Sequence, residues 1–508
     1  MGAQPKSSAA SSSGPVTITY RVGNGAPKTR NAELLVVACD PRSLACDYRP
    51  AEKAVFGRLS NFTFHTSLLT VKGNPRLPSG VVFAPTPMDK MDGSIYAFRN
   101  ETAKTFGLKK ARSATQNLVT VYQLLGPGPE PWTPAKFQDV LKKQLKTLEW
   151  WPYGRRYKQD YEITDTVTTP YFDQFSGSDL KNGLPWQFLG LQGKHNTIYA
   201  HASTCFESIL QCWQYAKMLL DPSNNLGVKL PTSLDAPIVI LGAGASGILF
   251  AHHLVKDLKY TNVEILESTD RSDGKIHTIK MNGPYPPGET APTYCELGAC
   301  YLSPAYADLE KYLLKFVKGN KPVPLAGDPA DAGRFRAIWA LGQFPGWRKT
   351  ARRFMTYDNY IIEKAKHDLG YPESYRNKRV IEGLIGLALF AYLGYHELYM
   401  GKTLPVPTTQ PTNFDLTQTF DQFLQDRYLI ALVGLLQYGY SVQGYGALKS
   451  APAYYGMTWI TPDNVDAIIE EKTLVKVWEK GWGDVWRQLK AGIKITCNAT
   501  TTNITRSN

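Results

Sequence analysis

One stretch constrains this chain more than any other. Residues 236–241 (APIVIL) are a short apolar run rich in β-branched side chains, the composition of a strand buried on both faces of a parallel sheet. The run leads directly into Gly242, Gly244 and Gly247, spaced as GxGxxG, and then into ILFAHHLVKDL, whose apolar residues recur at helical spacing. Residues 263–267 (VEILE) read as a second strand ending in an acid, Glu267, about 20 residues beyond the last glycine. Each residue type has a reason. Gly242 permits the tight turn, Gly244 lets the backbone approach a pyrophosphate, and Gly247 lets the helix pack closely on the strand. The helix start at Ala245 and Ser246 offers free N–H groups and the positive end of a dipole. A carboxylate at Glu267 accepts from ribose hydroxyls and disfavours a 2′-phosphate. The pattern predicts a dinucleotide-binding βαβ unit, and by itself does not separate FAD from NAD.

Composition narrows the setting. With 43% apolar and 20% charged residues, the 508-residue chain has enough apolar side chains for a large core of several domain equivalents. Its 42 glycines and 34 prolines follow no period, so a collagen-like chain is excluded. Seven cysteines cannot staple so long a chain, and none falls in CxxC, so neither a disulfide framework nor a metal site is expected. The net charge of +13 lacks a dense basic block; 109–112 and 348–353 read as solvated faces, so no nucleic-acid partner is expected. Residues 381–395 and 428–448 are apolar but fall short of a clean span of about 20 residues; they read as buried helices walling an apolar pocket, with no transmembrane span. Residues 1–14, rich in Ser and Ala, read as a disordered tail. No charged start with an apolar core follows, so a cytoplasmic location is expected, although sequons at Asn61, Asn100, Asn498 and Asn503 would fit secretion.

Beyond Glu267 come Ser268, then Arg271-Ser-Asp-Gly274-Lys275, then Glu296-Leu-Gly298-Ala299-Cys300-Tyr301. This succession resembles the flavin-containing amine oxidase superfamily, in which the acid is followed by a Gly-Gly-Arg turn and later by an acid-x-Gly-Ala stretch beside the flavin. Lys275 stands where the superfamily has arginine, a point charge in place of a bidentate fork. Near the C-terminus, Gly481-Trp-Gly483 and residues 493–506, with Thr501, resemble the superfamily's Gly-Gly turn and the strands beside the adenine. What should follow stands at the front instead: 16–20 as a strand, a turn at Gly23-Asn-Gly25, and Glu33 to Pro41 as a buried strand and its exit. Residues 160–220 resemble the superfamily's closing segment, and the resemblance implies flavin contacts from Ser203, Phe206 and Glu207. The segment with Pro185-Trp186, Gln192-Gly193 and Phe206-Glu207 is most similar to the branch of polyenoic fatty acid isomerases and β-cyclopiazonate dehydrogenase.

The order is therefore read as circularly permuted. The expected fold class is α/β: a Rossmann-type FAD-binding domain from 15–48, 190–300 and 475–508, with a discontinuous mixed α+β substrate domain from 49–189 and 301–474. Residues 221–235 would link the permuted halves. The resemblance implies non-covalent FAD and hydride transfer from a hydrophobic, carboxylated small molecule, with polyunsaturated fatty acid isomerisation as the leading example. The alternatives are an amine oxidase, a specialised-metabolite dehydrogenase, or a flavin-binding protein without turnover. Arg334, Arg336, Arg348, Arg352 and Arg353 are candidates to clamp the carboxylate. Phe390 and Tyr440 head a set of apolar pocket candidates that also includes Tyr392, Tyr395, Tyr428, Leu432, Leu436 and Tyr438. His195, His201 and Trp186 are the candidates nearest the chemistry, with His252 and His253 read as structural.

Overall fold

The computed structural model describes residues 16–73, 77–83, 91–128, 132–147, 160–283, 286–326, 337–342, 344, 353–401, 405–470, 472 and 475–507. The tail, together with Arg334, Arg336, Arg348 and Arg352, lies outside these residues, and of Arg353 only the backbone is described.

Five short parallel strands build the first sheet, in the order Lys494–Thr496, Val263–Leu266, Ile238–Leu241, Leu34–Val37 and Thr197–Tyr199. Ile238–Leu241 and Leu34–Val37 are uniformly apolar and buried, as helices on both faces of a parallel sheet require. Glu264 is the exception within this core: its carboxylate reaches Lys494 Nζ at 3.1 Å and Arg30 Nε at 3.4 Å.

A second, antiparallel sheet joins distant segments of the chain. Ala499–Arg506 pairs with Val16–Val22, which pairs with Lys28–Ala32; Val16 faces Arg506 and Val22 faces Ala499. Arg506 then turns inward, and its buried guanidinium donates to both Glu52 carboxylate oxygens at 2.7 Å and to Asp47 Oδ1 at 2.8 Å.

The third sheet has seven strands: Arg353–Thr356, Ile338–Gly342, Gly80–Phe83, Asp92–Asn100, Gln116–Leu125, Ser60–Lys72 and Tyr161–Gln174. All neighbours are antiparallel except Ile338–Gly342 beside Gly80–Phe83. Helix Tyr357–Asp368 packs on its Ile338–Gly342 strand and on helix Val433–Val442. Asn100, one of the sequons, is buried, and its carboxamide oxygen caps the next helix by accepting from Ala103 N–H at 3.0 Å.

The apolar run at 381–395 differs from expectation. It belongs to helix Lys378–Met400, which buries Ile381, Ile385, Leu389 and Tyr392 but leaves Leu387, Phe390 and Leu398 60% or more exposed. One side of the helix packs and the other faces outward, and it lines neither of the two cavities described below. Among the described residues no helix is long and apolar enough to cross a membrane, and no group of three or more His, Cys, Asp or Glu side chains is arranged to hold a metal ion.

Candidate functional site

The carboxyl ends of four first-sheet strands open onto one cleft. Ala38, Cys39 and Asp40 follow Leu34–Val37; Gly242 and Gly244 follow Ile238–Leu241; Glu267 follows Val263–Leu266; His201 follows Thr197–Tyr199. Crevices outside the carboxyl ends of a parallel sheet are where such folds take ligands, because strand ends and helix starts converge there. The cavity is about 450 Å³, within the range of roughly 300–1,000 Å³ for small-molecule sites.

The three glycines have separable roles. Gly242 holds φ +99, a conformation L side chains rarely adopt. At Gly247 an added Cβ would meet Gly242 O at 2.0 Å, so the helix sits against the turn backbone. At Gly244 an added Cβ would sit in ordinary contact with Gly274 Cα at 3.7 Å, and both glycines line the cleft, so two stretches of bare backbone face each other there. Helix Ala245–His252 begins there. Its first hydrogen bond runs from Ile248 N–H to Gly244 C=O at 3.0 Å, so the N–H groups of Ala245, Ser246 and Gly247 have no acceptor within the helix. Glu267 closes the loop: Oε2 accepts from Ala243 N–H at 2.7 Å, and Oε1 accepts from Thr269 N–H at 2.9 Å. Oε1 also accepts from Thr269 Oγ1 at 2.8 Å, which fills its two lone pairs, so the remaining acceptor capacity is on Oε2.

The opposite wall is polar. Lys275 Nζ donates to Glu207 Oε2 at 2.8 Å and lies over the Tyr171 ring at 5.3 Å. Burial opposes the charge on Lys275, but Glu207 and Asp173 hold its pKa above the usual value. Arg42 bridges Asp40, at 2.8 Å, and Asp173. At His201, Nδ1 accepts from Ser203 N–H at 3.3 Å, which leaves the ring proton on Nε2. Burial keeps the pKa of His201 below the usual value against the pull of Asp173 and Glu207. The Cys39 and Cys300 thiols are pushed up to about 12, chiefly by burial, so neither is a thiolate near neutral pH. Behind the wall, fully buried Arg99 donates to Cys300 Sγ at 2.7 Å and to Tyr301 Oη at 3.2 Å while pairing with Glu101.

A second, apolar chamber of about 150 Å³ adjoins the cleft. The two share a collar of Ser208, Tyr301, Tyr306, Val442, Gln443 and Tyr445. The Tyr301 and Tyr306 phenols are pushed up to about 12 by burial, so both stay protonated. Beyond the collar, Phe83, Leu325, Ile338, Leu436 and Ile460 line the chamber.

Of the residues singled out from the sequence, Gly242, Gly244, Ala245, Ser246, Glu267 and Lys275 line the cleft. So do Glu207, Gly298, Ala299, Cys300, Tyr301 and His201. Gly298 is forced by packing, since an added Cβ would meet Lys275 O at 1.9 Å. Lys275 meets Glu207 rather than standing as an isolated point charge. Others lie elsewhere. Ser268 sits beside Glu267 Oε1 at 3.4 Å, behind the cleft. Thr501 is a second-sheet residue opposite Tyr20. Ser203 serves the His201 turn, and Phe206 is buried against Phe172 and Tyr445. Trp186 does not line the cleft, because its indole N–H is tied to Pro407 C=O at 3.0 Å. His195 occupies a left-handed turn at φ +51 away from both cavities. Phe390 is 61% exposed and Tyr428 92% exposed, while Tyr440 is fully buried yet lines neither cavity. Of the apolar pocket candidates only Leu436 lines the chamber; Tyr392 instead donates to Ile460 C=O at 2.9 Å. Sequence reading missed Asp173, Tyr306, Gln443 and Tyr445, which reach the site from distant segments and carry no local signature.

A parallel sheet, a glycine turn at its carboxyl edge and an acid at the end of the next strand define the Rossmann-type class of dinucleotide-binding domain. Residues 240–316 match the family described as NAD(P)-binding Rossmann-like domain. No curated protein matches the chain. Among solved structures it is similar to a CLA-producing fatty acid isomerase from P. acnes, at 18% identity over 38% of this chain and 44% of that one, with a TM-score of 0.29. It is also similar to a putrescine oxidase bound to putrescine, at 14% identity over 53% of this chain and 56% of that one, with a TM-score of 0.34. The chain thus spans about half the length of these two proteins.

Proposed function

We propose that this chain is an FAD-dependent enzyme that removes a hydride from a C–H bond of a hydrophobic small molecule. The observation that carries the proposal is the juxtaposition of the carboxyl-edge cleft with the apolar chamber through a shared tyrosine collar. The residues fit the cofactor. The free N–H groups at the start of helix Ala245–His252 suit a pyrophosphate, Gly244 and Gly274 bring bare backbone to the cleft, and Glu267 Oε2 retains acceptor capacity for ribose hydroxyls. When bound, FAD supplies the hydride acceptor, a chemistry no side chain of this protein offers. The protein's share is to orient the C–H bond, exclude water and keep side reactions out. Phe83, Leu325, Leu436 and Ile460 provide the dry surface, and the neutral phenols of Tyr301 and Tyr306 carry no charge into it.

Polyunsaturated fatty acid isomerisation and amine or alcohol oxidation both begin with this hydride removal. The arginines expected to clamp a carboxylate are outside the described residues or lack a described side chain, and no Lys, Arg or His among the described residues lines the chamber. The reading therefore rests on the apolar chamber rather than on a carboxylate clamp. It is tested by adding a polyunsaturated fatty acid, a long-chain primary amine and a long-chain alcohol to the purified protein under anaerobic conditions. A conjugated-diene absorbance that grows without oxygen supports an isomerase. Bleaching of the flavin by amine or alcohol, reversed by air with release of peroxide, supports an oxidase. Bound flavin inert to every compound would remove the enzyme and leave a binding protein.

A further inference from the structure

The chamber contains a feature that apolar packing does not require. Helix Pro462–Ile469 starts at its wall, with Thr461 as N-cap and Asn464 in the first turn, and both residues line the chamber. An N-cap threonine ordinarily uses its hydroxyl to accept an N–H of the first turn. Here it does not: Thr461 is 3% exposed, makes no side-chain cap bond, and Oγ1 has no hydrogen-bond partner among the described residues. Asn464 places its carboxamide nitrogen 3.4 Å from Trp459 C=O, which fixes the orientation of the amide, and its Oδ1 is also buried without a partner. Two unpaired polar atoms in one apolar wall are costly unless a ligand or a bound water satisfies them.

We propose that Thr461 and Asn464 form a recognition subsite for a hydrogen-bond donor, a hydroxyl or an ammonium, carried by an otherwise apolar substrate. The proposal deepens the hydride-transfer reading of the same site and rests on it. Oδ1 of Asn464 can only accept, and the Thr461 hydroxyl can accept or donate, so a donor satisfies both while a carboxylate meets Oδ1 lone pair to lone pair. Among the described residues the chamber also gives an anion no cation to pair with, and a buried carboxylate is costly unless a cation offsets it. No Lys, Arg or His among the described residues lines the chamber to reverse this.

The test is calorimetric titration of the purified holoprotein with 1-octanol, octylamine and octanoate. Both donor probes should bind more tightly than octanoate. Thr461→Val and Asn464→Leu should each weaken the better donor about five- to tenfold, the value of one buried hydrogen bond. Because Oγ1 has no protein partner, Thr461→Val should leave the melting temperature nearly unchanged. A preference for octylamine identifies an ammonium ligand and a preference for octanol a neutral hydroxyl, and either supports the subsite. Octanoate binding as tightly as the donors, failure of both donors to bind, or unchanged affinity in both variants would overturn it. So would a lower melting temperature of Thr461→Val with unchanged affinity, which would assign the hydroxyl to a structural water. Donor binding by a protein that never takes up FAD would remove the hydride-transfer reading alone; turnover with FAD and no donor preference would remove the subsite alone.

Discussion

Glu296 shows how a single buried carboxyl sets a pH dependence. It ends strand Thr293–Glu296, accepts from Trp482 N–H at 2.5 Å and from Thr278 Oγ1 at 2.6 Å, and its pKa is pushed up to about 7 by burial against these hydrogen bonds. A folded pKa above the unfolded value of 4.5 means that the folded state holds the proton more tightly. Its contribution to stability is therefore full below pH 4.5, declines between 4.5 and 7, and is lost above that. We predict that the stability difference between Glu296→Gln and wild type, followed by urea unfolding, grows in favour of Gln across this window, by an amount on the order of 3 kcal/mol. The glycine turn gives a second residue-scale prediction. Gly247→Ala forces a Cβ to 2.0 Å from Gly242 O and should cost about 1–3 kcal/mol by overpacking, read as a lower melting temperature. Gly244→Ala, at φ −78 and with an ordinary 3.7 Å contact to Gly274 Cα, should fold with wild-type stability yet lose dinucleotide affinity, because a Cβ between these two cleft-lining glycines narrows the approach to the backbone. These glycines were legible because turn, approach and packing demands act within a few residues of one another. Asp173 and Tyr445 were not, since nothing local marks a residue that reaches a cleft across the fold.

Helix Lys378–Met400 separates what periodicity can and cannot say. An apolar run is equally compatible with full burial and with one packed face, and its neighbours decide between them. Here Ile381, Ile385, Leu389 and Tyr392 turn inward at helical spacing, whereas Leu387 and Phe390 face outward. We expect Leu389→Ala to lower stability by about 2–5 kcal/mol and Phe390→Ser to change it by no more than about 0.5 kcal/mol, with no effect of the latter on flavin content. Urea unfolding and the flavin absorbance of the two variants check this; similar losses in both would contradict the exposed face. The apolar stretch at 428–448 was read more accurately, because helix Val433–Val442 presents Leu435, Leu436 and Val442 to the chamber. Even so, Tyr438 and Tyr440, on the same helix, bury their rings elsewhere in the core, as a helix has only one side for each neighbour.

At the scale of the whole molecule, the first sheet draws strands from 34–37, 197–199, 238–241, 263–266 and 494–496, and the second sheet sets Val16 directly opposite Arg506. The α/β class and the βαβ unit were legible from apolar runs, glycine spacing and strand-ending acids. Of the chamber only the wall from helix Val433–Val442 was legible, because the other walls come from segments between 81 and 475 that meet only after folding. We propose that the chain order is circularly permuted relative to the flavin-containing amine oxidase superfamily. Because Val16 and Arg506 are paired, a turn of 2–5 residues should suffice to join 507 to 16. A gene encoding 235–507, such a turn, and 16–220 should therefore yield a protein with the same far-ultraviolet spectrum and cooperative melting; an unfolded product would contradict the permuted reading. The central claim, that the carboxyl-edge cleft holds FAD, is tested most directly by gel filtration of the purified protein after incubation with FAD, reading flavin absorbance in the protein peak. The account predicts close to one flavin per chain, retained by wild type and reduced in Gly244→Ala; a colourless wild-type peak that retains no flavin would contradict it.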